Sequence, residues 1–386
     1  MRPLGATPVI LALAAPLLCA AQAAKTDKPA QIPRLTRVVL LEETSETSAN
    51  VSLGDVNGDG HLDVVLAKGR HWPLVDRVLL GDGQGRFPTA YDLGTASDRS
   101  YSGKLVDLDG DGDLDVVISN DRPDPKLVYL NDGKGRFQAG TTFGKAEWST
   151  RNASVADLNG DGLPDIVVAN RTGGGPGANY LCLNRGAGKF DEDCLAFSQE
   201  SATTITPADF NRDGRIDLLV PHRDGGQSYL YINEGGAGPT FRKVPFGPSD
   251  AAVRVSEAAD LDADGRLDIV TVGERSGVTI FFGQDAEKFS PGVPAYAANK
   301  VPYALAVGDV NRDGAIDILV GNIEAPSIVL VNDGTGRGYT PAPFGDDKGG
   351  VYGFALGDVN RDGYLDVAAA RSGAPNVLYL AEPPDR

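Results

Sequence analysis

The sequence has few of the residues that dominate catalytic and soft-metal chemistry: three cysteines, three histidines and one methionine occur among 386 residues. It contains no zinc-ligand spacing, no phosphate-binding loop and no nucleophile elbow. The histidines are His61, His71 and His222, and His222 lies beside Arg223. Catalysis therefore has weak support from the sequence.

Positive charge is also scarce, with 36 lysines and arginines against 53 aspartates and glutamates, so the net charge is −17. Proteins bind nucleic acids largely through lysine and arginine contacts to phosphates. The acidic balance therefore argues against a nucleic acid partner.

Long apolar runs are confined to the start of the chain. The run from Val9 to Ala21 is too short to span a membrane. It follows the basic Arg2 and ends in the small-x-small sequence Ala21-Gln22-Ala23, which is typical of a signal peptide cleavage site. We therefore predict a signal peptide at residues 1–23, a linker at 24–33, and a secreted or periplasmic protein without a transmembrane segment.

The cysteines leave two questions open. Lipidation of Cys19 is an alternative to cleavage, although Leu18 precedes it where lipoprotein signals usually have a small residue. After cleavage Cys182 and Cys194 remain, on two predicted neighbouring strands. In an oxidising compartment they are expected to form a disulfide, and the alternative is two buried thiols.

What the sequence does contain is 49 glycines and a strong internal repeat. A nine-residue loop of the form D-x-[DN]-x-D-G-x-x-D begins at intervals of about 50 residues. Its seven copies start at Asp55, Asp107, Asp157, Asp209, Asp260, Asp309 and Asp358. A short apolar strand follows each copy, and Gly/Asn/Asp turns separate further strands.

A period near 50 residues with about four strands per unit is typical of propeller blades. We therefore predict an all-β fold, a seven-bladed β-propeller of four-stranded blades over residues 34–381, followed by a tail at 382–386. The last copy lacks its final strand, while the segment from Arg34 to Leu41 precedes any complete repeat. This N-terminal strand is expected to complete the last blade and close the ring.

Positions 1, 3, 5 and 9 of the loop are Asp or Asn in all copies, and position 6 is always glycine. Oxygen side chains at alternate positions of a tight loop suit Ca²⁺, which takes six to eight oxygen ligands. Position 12, where an EF-hand has glutamate, is a strand residue such as Leu66, so the Asp at position 9 is expected to close the shell. The alternative is a metal-free Asp-Gly turn, and Mg²⁺ is less suited.

We predict up to seven structural Ca²⁺ ions. Position 7 varies, as expected if only its backbone carbonyl binds. The candidate metal residues are Asp55, Asn57, Asp59, His61, Asp63, Asp107, Asp109, Asp111, Asp113, Asp115, Asp157, Asn159, Asp161, Leu163, Asp165, Asp209, Asn211, Asp213, Arg215, Asp217, Asp260, Asp262, Asp264, Arg266, Asp268, Asp309, Asn311, Asp313, Ala315, Asp317, Asp358, Asn360, Asp362, Tyr364 and Asp366.

The loops resemble those of the FG-GAP/VCBS repeat family, which includes the propeller of integrin α-subunits. The resemblance covers roughly residues 34–381. It implies a β-propeller that holds calcium between the first and second strands of a blade. The Phe-Gly and Gly-Ala-Pro elements of the integrin form are mostly missing, so the chain is closer to the bacterial VCBS type and integrin-style adhesion is not implied.

Strand order places a second set of residues on the face opposite the loops. This set is rich in arginine and tyrosine, which suit carboxylate or sulfate groups and sugar rings. Its members are Arg70, Tyr101, Arg122, Trp148, Arg151, Arg171, His222, Arg223, Arg254, Arg275, Tyr303, Tyr352 and Arg371. The alternative is that the arginines pair with neighbouring carboxylates and the tyrosines pack between blades.

The main interpretation is a non-enzymatic, monomeric, calcium-binding interaction scaffold. Its ligand would be an anionic glycan or a cell-surface protein. The alternative is a polysaccharide-active, lyase-like enzyme that uses the Arg/Tyr/His face.

Overall fold

The structure, a computed structural model, describes residues 32–383 except residues 174, 176, 286, 298 and 299. The predicted signal peptide, the lipidation alternative at Cys19, and most of the predicted linker and tail lie outside these residues. The described chain forms thirty β-strands and no helix, and thus no helix that could cross a membrane.

The strands are short and follow one another closely along the chain. The first ten are β1 Arg34–Leu40, β2 Ser48–Gly54, β3 Asp63–Lys68, β4 Arg77–Leu80, β5 Thr89–Asp92, β6 Ser100–Val106, β7 Asp115–Asn120, β8 Lys126–Asn131, β9 Phe137–Phe143 and β10 Thr150–Ala156. The next ten are β11 Asp165–Asn170, β12 Asn179–Cys182, β13 Leu195–Ser198, β14 Thr206–Ala208, β15 Asp217–Val220, β16 Ser228–Gly235, β17 Thr240–Phe246, β18 Val255–Ala259, β19 Asp268–Gly273 and β20 Gly277–Phe281. The last ten are β21 Gly283–Asp285, β22 Lys288–Phe289, β23 Val293–Tyr296, β24 Val301–Gly308, β25 Asp317–Ile323, β26 Ser327–Asn332, β27 Tyr339–Phe344, β28 Gly350–Gly357, β29 Asp366–Ser372 and β30 Val377–Glu382.

The prediction of seven four-stranded blades is wrong, because the structure describes five separate four-stranded blades. These antiparallel sheets are β2–β5, β6–β9, β10–β13, β14–β17, and β18, β19, β20 with β23. The eight strands β1, β24 to β27 and β28 to β30 form a single continuous sheet. The strands β21 and β22 form a separate small hairpin.

Two glycines lie at the joint that makes the last eight strands continuous. Ile323 at the end of β25 pairs with Gly350 at the start of β28, and the Glu324 N–H donates to the Gly349 carbonyl (2.7 Å). A Cβ atom on Gly350 would lie 2.4 Å from the Ile323 side chain. A side chain at Gly350 would require the end of the Ile323 side chain to shift, so the close approach favours glycine at a position outside the repeat pattern.

The N-terminal strand belongs to the same sheet as the C-terminal one. β1 pairs antiparallel with β30, in a register that places Arg37 opposite Leu380 and Leu40 opposite Val377. Leu35 of β1 is buried in the cluster that includes Val377 and Tyr379. The two ends of the chain are therefore held together by a shared sheet.

The strands that lead into the seven aspartate loops, called the first strands below, contact one another in a closed cycle. In order, this cycle is β2, β6, β10, β14, β18, β24, β28 and again β2. The hydrophobic core lies between the faces of neighbouring sheets, as where Val65 and Val78 pack with Val116 and Ile118. The second strand of each sheet is buried on both faces, which explains its continuous apolar sequence.

Candidate functional site

Each aspartate loop connects a first strand to the strand that follows it. All seven loops therefore lie at the same end of the first strands. In the first copy, Asp55 Oδ1 accepts the Gly58 N–H (2.8 Å) and Asp55 Oδ2 accepts the Gly60 N–H (2.7 Å). Gly60 has a φ of 80°, a left-handed conformation that glycine adopts without strain. The same bond from position 6 to position 1 recurs in the other copies, for example Gly162 to Asp157 (2.9 Å). The repeat thus encodes one loop conformation.

Carboxylate oxygens converge in these loops. The side chains of Asp107, Asp109 and Asp111 each offer an oxygen within 4.8 Å of the others, and so do those of Asp260, Asp262 and Asp268. The donor set is entirely oxygen, which matches the preference of Ca²⁺. Without a cation, such close carboxylates repel one another. The residues present therefore fit a hard divalent cation.

The aspartate at position 9 has a structural role that the sequence analysis did not predict. In the third copy Asp165 is fully buried, and its Oδ2 accepts the Leu158 N–H (3.0 Å) while its Oδ1 accepts the Asn184 N–H (2.9 Å). One carboxylate thus ties the loop to the end of the third strand of the blade. All seven copies have this pair of bonds.

Burial controls the protonation of these position 9 aspartates. It raises the pKa of Asp217 to about 6 and that of Asp317 to about 7, against the lowering effect of two backbone N–H donors. A bound cation would counter this shift, because it favours the charged carboxylate.

Buried asparagines join four of the seven loops to the next blade, which the sequence analysis also missed. The Asn233 side-chain amide donates to the Leu158 carbonyl of the preceding repeat (2.8 Å) and to the Ile216 carbonyl of its own (3.0 Å). Asn131, Asn184 and Asn332 repeat this arrangement. A recurring Asn at the end of the third strand is the available signal, although Asn at this place is also typical of a turn.

At position 7, side chains of two copies turn back toward the loop. Arg215 contacts the Asp213 carboxylate and donates to the Asn233 carbonyl (2.8 Å), and Arg266 makes the equivalent contacts with Asp264 and the Gly283 carbonyl (2.9 Å). These arginines neutralise part of the charge in the fourth and fifth loops.

Arginines and tyrosines meet at the other end of the first strands, roughly 20 Å from the loops at 3.3 Å per residue. The residue six positions before the first loop aspartate is skipped by the strand pairing in five repeats, so it forms a β-bulge. A bulge re-aims a side chain, and here it directs Tyr101, Arg151, Tyr303 and Tyr352 toward the central cavity. We call the group at this end the collar, which consists of Arg70, Tyr101, Arg151, Arg254, Tyr303 and Tyr352.

The collar is held by cation–π contacts. The Arg254 guanidinium lies 3.4 Å from the centre of the Tyr303 ring, and that of Arg70 lies 3.7 Å from the Tyr352 ring. The Arg151 guanidinium lies 4.5 Å from the Tyr101 ring. Arg151 also pairs with Asp121 (2.6 Å), whereas Arg70 forms no ion pair in the described part of the chain. The collar is therefore a cationic, aromatic surface with an uncompensated charge at Arg70.

An exposed loop adds two aromatic side chains beside the collar. The Tyr101 hydroxyl lies 3.1 Å from His71 Nε2, and Trp72 is 69% exposed, more than the other exposed large hydrophobic residues. Burial is the main cause that lowers the pKa of His71 and raises that of Tyr101. Trp72 was not among the predicted residues, and its position in a Gly-Arg-His-Trp-Pro loop was the signal for it.

The remaining predicted face residues lie outside the collar. Arg171 forms an ion pair with Asp224 (2.6 Å), Arg371 is buried and pairs with Asp346 (2.6 Å), and Arg223 contacts Glu274. Trp148 stacks on Tyr180 with ring centres 3.8 Å apart. His222 is partly buried, while Arg122 and Arg275 are exposed. Salt bridges and packing thus account for four of these residues.

The predicted disulfide is confirmed. Cys182 in β12 is bonded to Cys194, which precedes β13, with Cα atoms 4.5 Å apart. The bond closes the connection between the third and fourth strands of the third blade.

The family model described as an FG-GAP-like repeat matches the chain six times, at residues 55–118, 107–168, 157–220, 209–271, 260–320 and 309–369. No curated protein sequence matches it.

The fold is similar to that of solved structures. The crystal structure of BBS1N in complex with ARL6DN, soaked with mercury, has a TM-score of 0.57 at 12% identity and covers 92% of this chain and 97% of that one. Rhamnogalacturonan lyase YesW (TM-score 0.52, 13% identity) and the Bacillus licheniformis rhamnogalacturonan lyase PL11 (0.51, 14%) each match 90% of this chain and 76% of their own. At these identities the likeness shows the β-propeller fold alone.

Proposed function

The chain belongs to the family of FG-GAP-like repeat proteins, and we propose that it is a calcium-stabilised interaction scaffold that binds an acidic glycan at the collar. The observation that carries this proposal is the convergence of three arginines and three tyrosines at one end of the central cavity. An interaction scaffold needs only a surface whose charge and shape complement the ligand, and it needs no catalytic groups.

Calcium would be held by the loop side chains at positions 1, 3 and 5, together with an oxygen of the position 9 aspartate. Such an ion supplies positive charge among close carboxylates and thereby stabilises the loop. The role of the calcium ion is structural, because the loops that hold it and the collar that binds the ligand lie at opposite ends of the first strands.

The collar suits an acidic sugar for two reasons. Arginine guanidinium groups pair with carboxylate and sulfate groups, and Arg70 has no acidic partner in the described chain. Exposed aromatic rings such as Trp72 have an apolar face on which sugar rings pack. The similar structure of BBS1N is a complex with another protein, ARL6DN, so a protein partner is the other outcome that a binding screen must include.

The test is binding of the full chain to immobilised polygalacturonate and chondroitin sulfate, with dextran as the neutral control. We expect binding to the acidic polymers that Arg70→Met weakens at least ~10-fold, about 1.4 kcal/mol, because the change removes charge and keeps the apolar stem. Arg122→Met is the matched control, since Arg122 is exposed and outside the collar. Equal binding to dextran, or equal losses in the two variants, would overturn the proposal.

A lyase-like enzyme remains the second candidate, because the Tyr101 hydroxyl, the His71 ring and the Arg151 guanidinium lie together. One feature favours the scaffold. A tyrosine that acts as a base needs a lowered pKa, whereas burial raises that of Tyr101.

Incubation with rhamnogalacturonan and polygalacturonate, followed by the ultraviolet absorbance of unsaturated products, separates the two candidates. The scaffold predicts no turnover. Turnover that Tyr101→Phe abolishes, while polymer binding is retained, would instead establish the lyase.

A further inference from the structure

Two opposite charges face the central cavity beyond the collar. Lys104 in β6 and Glu257 in β18 occupy the same position of their repeats, three residues before the first loop aspartate. Both line the cavity of about 130 Å³. Because β10 and β14 separate β6 from β18 in the cycle of first strands, the two side chains approach the cavity from well-separated directions.

The other side chains of this layer need no partner from the cavity. The hydroxyls of Ser52, Ser154 and Thr206 donate to backbone carbonyls of the next strand or of its entry, at 2.6, 2.6 and 2.7 Å. The remaining two members, Ala306 and Ala355, have no polar side-chain atoms. In this layer, therefore, only the two charged side chains have polar atoms without a hydrogen-bond partner.

Lys104 and Glu257 themselves form neither an ion pair within 4.0 Å nor a side-chain hydrogen bond in the described chain. Both side chains are half-buried, and a charge partly removed from water is costly unless it is paired. Burial lowers the pKa of Lys104 and raises that of Glu257 to about 7, and each charge only partly offsets the shift of the other. The direct pair that would relieve this cost does not form.

We propose that the central cavity binds a small zwitterion, a molecule with one carboxylate for Lys104 and one ammonium for Glu257. A free amino acid of short chain belongs to this class. The hydroxyls of Thr203 and Thr204 line the same cavity and have no hydrogen-bond partner, so they are available to the polar ends of the ligand. The cavity volume limits the ligand to a few heavy atoms.

This site lies beyond the collar in the same cavity, and neither proposal requires the other. A ligand that carries both charges pairs both half-buried groups at once. A simple anion would pair Lys104 and leave Glu257 unpaired, while a simple amine would do the reverse.

The test is isothermal titration calorimetry of the full chain with glycine, β-alanine and γ-aminobutyrate, which differ in the distance between their charges. Acetate and methylammonium are the single-charge controls. We expect one zwitterion to bind at one site per chain, at least ~10-fold more tightly than either control. No binding of any zwitterion at millimolar concentration, or acetate binding as tight as the best zwitterion, overturns the proposal.

Variants separate charge pairing from a structural effect. Lys104→Met and Glu257→Gln should each weaken zwitterion binding at least ~10-fold, while Ala306→Ser, a neutral change in the same layer, should not. The charge swap K104E together with E257K should restore binding, since a zwitterion can bind in the reverse direction. Single variants that bind like the unchanged chain would contradict the assignment, and circular dichroism checks that each variant is folded.

Discussion

The aspartates of one repeat have two different roles, although they are equivalent in the sequence pattern. Asp161, at position 5, is exposed and accepts bonds only within its own loop, from Leu163 N–H (2.9 Å) and the Asn159 amide (2.9 Å). Asp165, at position 9, is buried and joins two separate segments. Removing one should affect metal binding, and removing the other should affect the fold itself.

Asp165→Ala should destabilise the chain by about 2–6 kcal/mol with chelator present, because two buried N–H groups lose their acceptor. The matched control Asp161→Asn keeps its acceptor oxygen and should cost less than ~1 kcal/mol in chelator. It should, however, reduce the stabilisation that calcium adds. Denaturant unfolding with and without calcium measures the free energy of unfolding and the stabilisation that calcium adds. Equal losses of stability for the two variants in chelator would show that the position 9 aspartate has no structural role beyond metal binding.

Glu257 should make stability depend on pH. Its pKa is raised to about 7, so the folded chain holds this proton more tightly than the unfolded chain does. Below the ordinary pKa of glutamate, Glu257 is protonated in the folded and unfolded chain, so its burial does not lower the free energy of unfolding. As the pH rises through about 7, the folded chain must bury a charged carboxylate, and the free energy of unfolding falls. The full cost is at most ~3 kcal/mol, at 1.36 kcal/mol for each pKa unit.

Glu257→Gln should therefore raise the melting temperature more at pH 8 than at pH 5, both taken relative to the unchanged chain. Glu192→Gln is the control, since Glu192 is exposed on the surface. A stabilisation of the same size at both pH values would show that the carboxylate is not desolvated in the cavity.

At the scale of the element, asparagines hold neighbouring blades together in addition to apolar packing. Asn233 is fully buried at the end of β16 and bonds to the loop of the preceding repeat. Its own N–H donates to Asp217 (2.8 Å), so the amide and the position 9 carboxylate form one continuous network. Blade order is thus encoded in polar residues as well as in the core.

Asn233→Ala should lower the free energy of unfolding by about 2–4 kcal/mol, because two buried carbonyls lose their donor. Asn159→Ser is the control, since its amide bonds within one loop. Guanidinium unfolding in chelator gives both values. A cost for Asn233→Ala no larger than that of the control would mean that the inter-blade bond contributes nothing measurable.

The strands themselves were largely predictable from β-branched runs between Gly/Asn/Asp turns, since these are local preferences. The bulges at Tyr101, Arg151, Tyr303 and Tyr352 were not, because a register shift is a property of two paired strands. The sequence placed these residues on the correct end of the strands by counting, yet it could not separate them from Arg171 or Arg371, which salt bridges occupy.

At the scale of the whole molecule, charge is concentrated in the loops. Positions 1, 3, 5 and 9 of the seven copies carry 23 carboxylates, in a chain of net charge −17. Many are exposed and close to one another, so their repulsion opposes folding in the absence of a cation.

Chelation should therefore lower the melting temperature, and added calcium should raise it with concentration. A ligand that binds only the folded chain stabilises it by about 2.7 kcal/mol per site at 100 times its dissociation constant. Scanning calorimetry over a calcium series, with magnesium and sodium chloride as controls, makes the measurement. An unchanged melting temperature, or equal stabilisation by sodium chloride at matched ionic strength, would show that the loops hold no specific ion.

The sequence by itself determined the repeat, the all-β class and the loop pattern, because each depends on residue types at short or regular spacing. It left a disulfide and two buried thiols as alternatives for Cys182 and Cys194, and the structure shows the disulfide. Tertiary structure alone decided how many blades stand apart, through the contact of Gly349 and Gly350 with the end of β25. It alone decided which arginines form the collar and that Lys104 and Glu257 share one cavity. These features arise between residues far apart in the chain, where hydrogen bonding and burial depend on which strands become neighbours.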